Sequence, residues 1–154
     1  MSLERAKEHF KKYSMEDRIL EFASSSATVS EAAQAANCTE GEIAKTLSFI
    51  VDERAILIVV AGDARIDNAK YKAFFRTKAK MIPFESVEDT IGHTVGGVCP
   101  FGINEGVTVY LDVSLKRFDM VYPACGSSNS AIKLTIDELE ATSGFTEWID
   151  VCKL

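Results

Sequence analysis

A glycine-rich loop is the first segment of this sequence whose residue types suit chemistry. Residues 92–106 contain five glycines and Pro100, which stiffens the segment that follows it. The adjacent Gly96 and Gly97 allow positive φ and a close approach of a ligand to backbone amides, which can bind an anion or the oxyanion of acyl transfer. The loop is not a P-loop, because no Gly-Lys-Ser/Thr follows, and its spacing is not that of a dinucleotide site. A long structural turn is the alternative interpretation.

Two further segments offer polar groups beside predicted strands. Lys45 stands between apolar neighbours at a predicted junction of helix and strand, where its ammonium can meet a phosphate. A surface lysine with its stem on apolar residues is the alternative. The segment 124–130 falls between two predicted strands, and Gly126 permits a tight approach there. The polar run that follows, 127–129, can bind a small polar group or simply form a hairpin turn.

Cys99 lies in the glycine loop six residues after His93, which suggests a thiol nucleophile with a base. The spacing does not establish contact, and no third group that would orient the imidazole is evident. The other cysteines, Cys38, Cys125 and Cys152, form no C-x-x-C pair with it or with each other. Such dispersal disfavours zinc and indicates free thiols in a reducing compartment. We expect no metal and no cofactor.

The composition indicates one globular domain, residues 1–154. The chain is 47% hydrophobic and 26% charged, so its core needs no disulfide. Residues 1–12 are charged throughout and contain no apolar segment of a secretory signal. The longest purely apolar run, Ala55–Ala61, is far shorter than the roughly 20 residues of a membrane helix. The sequence therefore predicts a cytoplasmic protein with no membrane partner.

The net charge of −6 argues at first against a nucleic-acid partner, but the charge is unevenly distributed. Residues 65–80 carry six basic side chains and one acidic one, which leaves −11 for the rest of the chain. A local basic face can steer a polyanion even on an acidic protein, and a solvated helix face is the alternative. The basic residues are Arg65, Lys70, Lys72, Arg76, Lys78 and Lys80.

The order of predicted elements indicates an α+β fold with a mixed sheet and short helices. Three capping boxes mark helix starts, at Thr28–Glu31, Thr39–Glu42 and Thr135–Glu138. Helices are predicted over 2–13, 28–37, 39–44, 67–77, 86–91 and 135–142. Strands are predicted over 18–22, 46–51, 55–61, 80–83, 107–113, 120–124, 131–134 and 145–151, with 46–51 and 55–61 as a central hairpin.

Taken together, these segments resemble the YbaK/prolyl-tRNA-synthetase-associated domain family over roughly residues 15–139. The resemblance rests on four matches in order: Ala44-Lys45-Thr46-Leu47 before a strand, Gly62-Asp63 after the apolar strand, Gly92-x-x-x-Gly96-Gly97-Val98-x-Pro100-x-Gly102, and Ala124-x-Gly126 before the strand Ile132–Leu134 and Leu139. It implies a mixed, barrel-like curved β-sheet with short flanking helices.

The resemblance also implies a function, the hydrolysis of the ester of mischarged tRNA without a metal or a covalent side-chain nucleophile. Many members remove cysteine or alanine from tRNA(Pro), so the expected partners are an aminoacylated acceptor end and prolyl-tRNA synthetase, and the expected state is a monomer. It implies catalytic roles for Lys45, Gly96 and Gly97, with the lysine on the terminal phosphate or ribose. The implied substrate-binding residues are Cys99, Pro100, Gly102, Gly126, Ser127, Ser128 and Asn129. The basic face, with Arg65, Lys70, Lys72 and Arg76, would bind tRNA.

One departure from the family pattern bears on the substrate. Cys99 stands where the familiar loop has serine or a similar small residue, so the preferred amino acid can differ. Two alternatives remain open: a non-catalytic tRNA- or synthetase-binding module of the same fold, and a thiol enzyme built on Cys99. Replacing Lys45 by alanine separates the first from an editing enzyme, and Cys99→Ser separates the second.

Overall fold

A computed structural model describes residues 2–154, which form five α-helices and ten β-strands around a main apolar core, with a smaller cluster under α2. The helices are α1 (Ser2–Lys11), α2 (Val29–Ala36), α3 (Asn68–Phe75), α4 (Val87–Ile91) and α5 (Ile136–Ser143). The strands are β1 (Ile19–Glu21), β2 (Ile43–Val51), β3 (Arg54–Ala61), β4 (Arg65–Ile66), β5 (Thr108–Asp112), β6 (Met120–Pro123), β7 (Ser130–Ile132), β8 (Leu134–Thr135), β9 (Glu147–Ile149) and β10 (Cys152–Lys153).

Six strands form a curled mixed sheet in the order β8-β6-β2-β3-β5-β9. The β2–β3 hairpin is antiparallel, whereas β6 runs parallel to β2 and β5 runs parallel to β3. Strand β3 lies in the centre, and its residues Leu57–Ala61 are fully buried, which explains their continuous apolar run. The predicted α+β class with a barrel-like curved sheet is confirmed.

Local signals place most elements within two residues of their predicted ends. Thr28 and Glu31 form the capping box of α2, and Asn37 ends this helix in the left-handed conformation. Asp67 caps α3 by accepting from the N–H groups of Ala69 and Lys70 at 3.0 and 3.1 Å. The hydrogen bonds at the helix ends therefore come from residues that can be identified in the sequence as caps.

The third predicted helix, 39–44, is wrong. Its capping box is present, but only a single 3₁₀ turn, Glu40–Glu42, follows it. Strand β2 begins at Ile43, because Ile43 and Ala44 pair with β6 and Ala44 also pairs with the end of β3. Tertiary pairing thus overrides a local helix start.

Three predicted strands are shorter or divided in the structure. The stretch 80–83 contributes one bridge, between Met81 and Phe49. The stretch 131–134 divides into β7 and β8, which join different sheets, and 145–151 gives β9 alone before a turn toward β10. The last two breaks let the chain pass from one sheet to another.

Helix α1 packs against the glycine loop and fixes its position. Phe10 and Phe101 are fully buried, with ring centroids 4.5 Å apart. Arg5 donates to the carbonyl oxygen of Gly92 at 3.3 Å and to the Asn104 side chain at 2.8 Å. The loop is therefore held from behind by a helix.

Candidate active site

A cavity of about 510 Å³ opens at the edge of β2, where this strand lacks a continuous neighbour. Strand β6 pairs with β2 only through Ile43 and Ala44, and Met81 forms an isolated bridge with Phe49. The volume lies within the ~300–1,000 Å³ of small-molecule sites. The cavity is lined by residues from segments 26–32, 43–48, 81–87, 95–98 and 122–131.

The lining of this cavity is largely apolar. Within residues 2–154, Lys45 is the one charged side chain that lines it, and no carboxylate, imidazole or thiol does. Hydroxyl groups come from Ser26, Thr28, Ser48 and Ser130, among others. Chemistry in this cavity therefore relies on one ammonium, on neutral donors and acceptors, and on the backbone.

Lys45 lies inside β2, as its third residue, and not at a helix–strand junction as predicted. Its side chain is half-buried and lines the cavity. Its positive charge helps to hold the pKa of Asp63 below its usual value, after the larger effect of the hydrogen bond from Arg117. A rigid strand thus positions an ammonium at the cavity, as the chemistry of anion binding requires.

The near side of the glycine loop faces the cavity through Gly96. Gly97 donates its N–H to the carbonyl oxygen of Thr94 at 3.0 Å and closes a tight turn, in which Gly96 has φ +95°. Gly126 in turn donates to the carbonyl oxygen of Gly97 at 3.0 Å, and a Cβ on Gly97 would overlap the backbone of Gly126 and Ser127. Gly97 therefore packs closely against Gly126 and Ser127, and its N–H, predicted to face an oxyanion, is bonded to Thr94 in this structure.

The far side of the loop turns away from the cavity, so three residues predicted to bind the substrate do not line it. Cys99 is fully buried, Pro100 is buried, and neither lines the cavity. Gly102 has φ +69°, and a Cβ there would lie 2.5 Å from the carbonyl oxygen of Arg5. Gly102 therefore packs against α1, and Cys99 belongs to the apolar core.

Cys99 and His93 do meet, but they are arranged as inert core residues. The Cys99 Sγ lies 3.5 Å from His93 Nε2, which donates to the carbonyl oxygen of Phe101 at 2.6 Å. Since a carbonyl only accepts, Nε2 carries the proton and is no base for the thiol. Burial raises the pKa of Cys99 to about 12 and lowers that of His93. The geometry disfavours a thiol enzyme.

The predicted polar segment after Gly126 supports the cavity from outside. Gly126 has φ +89° and packs against the backbone of Ser2. Asn129 and Phe22 exchange hydrogen bonds of 2.7 and 3.0 Å, and Ser26 donates its N–H to the carbonyl oxygen of Ser128 at 2.6 Å. The Ser127 hydroxyl is held within the same turn. None of these four predicted substrate-binding residues, Gly126, Ser127, Ser128 and Asn129, lines the cavity.

Sequence reasoning missed most of the apolar wall. Val29 and Ala32 of α2, Ile43 of β2 and Val87 of α4 line the cavity, and Phe84 stands exposed at its edge. The alanine-rich composition of α2 was a usable signal, because small side chains let a helix approach a strand closely. Nothing in the apolar positions of β2 distinguishes a cavity wall from ordinary core.

The predicted tRNA-binding side chains are exposed, but they differ in their partners. Lys70 forms an ion pair with Asp150 at 3.1 Å and donates to the carbonyl oxygen of Cys152 at 2.9 Å. Arg65, Lys72 and Arg76 are also exposed. The chain then continues through Lys78 and Lys80 directly to Met81, which lines the cavity.

The part of the chain that the structure describes contains neither a metal-binding cluster nor a membrane-spanning helix. No group of three or more His, Cys, Asp or Glu side chains within residues 2–154 is arranged to hold a metal ion. No helix in the same range has the length and apolar character to cross a membrane.

The family model of the aminoacyl-tRNA editing domain matches residues 23–142 of this chain. YwhH of Bacillus subtilis (strain 168), a protein named as uncharacterized, is 51% identical over 154 residues, which cover 99% of this chain and 98% of YwhH. A solved structure described as a candidate trans-editing enzyme for prolyl tRNA synthetase superposes with a TM-score of 0.88 at 28% identity, covering 99% of this chain and 98% of that one.

The curved sheet thus matches the fold of that neighbour, and the chain belongs to the aminoacyl-tRNA editing domain family. The proline–tRNA ligase of Geobacillus sp. (strain WCH70) is 31% identical over 104 residues, which are 66% of this chain and 18% of the ligase. A homologous domain therefore also occurs within a much larger synthetase.

Proposed function

We propose that this chain hydrolyses the ester that links a small amino acid to the 3′-terminal ribose of a mischarged tRNA. In this reaction the oxygen of water bonds to the ester carbonyl carbon, and the bond from that carbon to the ribose oxygen breaks. The proton passes to the ribose oxygen, so the products are a free amino acid and an uncharged tRNA. Membership of the editing-domain family supports this class of reaction.

The observation that carries the proposal is the chemistry of the cavity lining. Lys45 is its one charge within residues 2–154, in walls that are otherwise neutral and largely apolar. An aminoacyl ester is an activated substrate, so it needs positioning, a water molecule and stabilisation of the oxyanion more than a strong side-chain base. The neighbouring ribose hydroxyl can assist the water, as the family resemblance implies.

Lys45 binds the nucleotide end of the substrate in this proposal. Its ammonium, fixed on a strand, suits the phosphate or the ribose of the terminal nucleotide. The aminoacyl group then extends along the wall formed by Val29, Ala32 and Ile43. Apolar walls of this kind discriminate between side chains by size. Each additional or missing methylene changes the free energy of binding by about 1–3 kcal/mol.

We propose tRNA(Pro) carrying cysteine, alanine or another small amino acid as the substrate. The homologous segment of proline–tRNA ligase supports this choice of tRNA, and the apolar wall supports a small side chain. The chain acts as a monomer in the cytoplasm, where charged tRNA is found, and prolyl-tRNA synthetase is the partner that supplies the error.

The acceptor end approaches along the basic segment. Arg76, Lys78 and Lys80 lead along the chain to Met81 at the cavity, so a single-stranded backbone can follow them inward. Arg65 and Lys72 extend the positive charge further from the cavity. Lys70 contributes less in this proposal, because Asp150 already neutralises it.

The deciding experiment measures the release of amino acid from tRNAs charged with labelled cysteine, alanine, serine or threonine. We expect rapid hydrolysis of one small ester by the wild type and a loss of at least tenfold in kcat/KM for Lys45→Ala. Lys12→Ala, which removes an exposed lysine of the chain outside the cavity, is the matched control and keeps full activity. Absence of hydrolysis of every ester by folded wild-type protein would favour a non-catalytic tRNA- or synthetase-binding module.

A further inference from the structure

Strand β2 has an unpaired backbone position at the cavity. In an antiparallel pair, alternate residues direct their N–H and C=O groups toward the partner strand and away from it. Ser48 accepts from the Ile82 N–H at 3.2 Å, and Ile50 donates to the carbonyl oxygen of Lys80 at 2.8 Å. The even-numbered residues of β2 therefore direct their backbone groups away from β3.

Thr46 is the even-numbered residue that lies opposite the gap. Strand β6 pairs with β2 no further than Ala44, and the bridge of Met81 begins beyond it, at Phe49. No strand within residues 2–154 pairs with Thr46 on this side, and Thr46 lines the cavity. Its N–H and C=O thus form one residue of open sheet edge, a position that folded proteins usually pair or cover.

We propose that the aminoacyl group of the substrate completes the sheet at Thr46. The α-ammonium of the substrate donates to the Thr46 carbonyl oxygen, and the Thr46 N–H donates to the ester carbonyl oxygen. This inference rests on the proposed function and identifies how the same cavity recognises its ligand. The ligand class is an α-amino ester whose amino group is free.

The dimensions of the gap favour this ligand over an extended peptide. One residue in the extended conformation presents its own amino group and carbonyl on the same side, as required for a reciprocal pair with one strand residue. The gap is bounded by Ala124 after β6 and by Met81 and Ile82, which line the two sides of the cavity. A longer strand would collide with these boundaries, whereas a single aminoacyl group fits between them.

The pairing also supplies an oxyanion donor. Charge develops on the carbonyl oxygen when water attacks, and a backbone N–H fixed in a sheet needs no reorganisation to stabilise it. The N–H of Gly97 is occupied by Thr94 and cannot take this role. The Thr46 N–H therefore acts on the reacting atoms from the strand that also carries Lys45.

The first test changes the substrate and leaves the protein intact. Hydrolysis of N-acetylated and free aminoacyl-tRNA of the best substrate is compared with wild-type protein. Acetylation removes the charge of the donor to Thr46 and adds bulk at the boundary, so we expect kcat/KM to fall about 10–100-fold. Equal rates for the two esters would overturn the pairing.

The second test removes the N–H of residue 46 alone. Thr46→Val is the matched control, because it keeps the N–H and removes a hydroxyl that is buried without a hydrogen-bond partner. Cell-free translation then places the α-hydroxy acid analogue of valine at this position, which replaces the N–H by an ester oxygen with the same side chain. We expect kcat to fall about 10²–10³-fold relative to Thr46→Val, the effect of losing one oxyanion donor.

The outcomes separate the two proposals. Hydrolysis by the wild type, with rates within twofold for the Thr46→Val protein and its ester analogue, would overturn the pairing and leave the editing function intact. No hydrolysis by folded wild-type protein would overturn both. Unfolding in urea, measured for the Thr46→Val protein and the ester analogue, ensures that the rates belong to folded protein.

Discussion

Two polar clusters lie on either side of the glycine loop, and they differ in access rather than in residue type. His93 and Cys99 form a buried pair behind the loop, in contact with the core. Lys45 and Thr46 lie in front of it, on the floor of the cavity. By residue type the first pair suits nucleophilic catalysis better, yet it is the second that a ligand can reach.

Desolvation disfavours reaction of the buried pair. A thiol reacts as thiolate, and burial raises the pKa of Cys99 to about 12, so the neutral thiol dominates at physiological pH. The carbonyl oxygen of Phe101 holds the histidine proton on the nitrogen nearest the thiol. At the cavity, by contrast, a strand holds an ammonium and an unpaired peptide group without closing them off from ligand.

The largest effect that would sharpen this comparison is on stability, at the far side of the loop. Gly102 and Gly144 have nearly the same φ, +69° and +67°, but a Cβ at Gly102 meets the Arg5 carbonyl whereas nothing lies within 4 Å at Gly144. We expect Gly102→Ala to lower the free energy of unfolding by about 2–5 kcal/mol and Gly144→Ala by about 1–2 kcal/mol. Urea unfolding measures both.

The alanine variants also test the assignment of Gly102 to packing. If Gly102→Ala were as stable as Gly144→Ala but raised KM for the aminoacyl ester, Gly102 would belong to the substrate site after all. Comparable KM values for the folded fraction of each protein are the expected result, since Gly102 does not line the cavity.

How far the sequence predicts the molecule depends on the range of the interactions. Capping residues such as Thr28 and Asp67 act within one helical turn, so the helix starts could be predicted. The division of 131–134 between two sheets depends on pairing with β6 and with β1, and β1 is far away in sequence. The prediction of a short helix after Thr39 was wrong for the same reason, because strands distant in sequence determine the conformation of Ile43.

The candidate site shows the same limit. Lys45 and Gly96 could be identified from residue type and family pattern, and both line the cavity. Pro100 and Gly102 belong to the same family pattern but do not line the cavity. A sequence motif identifies the residues of a loop, but it does not show which side of the loop each residue faces. Thr46 also belongs to the family pattern, but its open peptide group could not be predicted, because that depends on where β6 ends.

The second effect is a pH dependence of stability, which tests the burial of the two histidines. Burial lowers the pKa of His93 and of His9 below their usual value near 6.5, so the unfolded chain binds more protons below that pH. Stability should therefore be level above pH 6.5 and fall as the pH drops below it, by at most about 1.4 kcal/mol per pH unit for each histidine.

Urea unfolding between pH 8 and 5 measures this slope. His93→Gln, which keeps a donor for Phe101, should reduce it below pH 6.5, and an unchanged slope would mean that His93 is not held neutral. The ion pair of Arg18 acts in a separate window, because it lowers the pKa of Glu138 to about 2 and its contribution fades only below about pH 4.5.

The third effect concerns the thiol directly. Cys99→Ala should leave kcat/KM per folded molecule within twofold, because the thiol does not line the cavity, and should cost about 1 kcal/mol of stability through lost packing. Deacylation and urea unfolding are measured on the same preparations. A loss of activity beyond tenfold at full stability would restore the buried pair to the mechanism.

The smallest effect separates two lysines of the basic segment. Lys70 is tied to Asp150 and to the carbonyl oxygen of Cys152, whereas Lys80 is exposed beside Met81 and joins none of the ion pairs within residues 2–154. Lys80→Ala should raise KM for charged tRNA about 2–5-fold at low salt and reduce the salt slope by about 0.7, the value for one single-strand phosphate contact.

Lys70→Ala should change KM for charged tRNA by less than twofold, because Asp150 already compensates the charge of Lys70. Steady-state kinetics across a salt series compares the two variants with the wild type. Equal effects would mean that tRNA displaces Asp150 and contacts the whole basic segment. An effect confined to Lys80 would place the path of the acceptor end at the open edge of the sheet, beside Lys45 and Thr46.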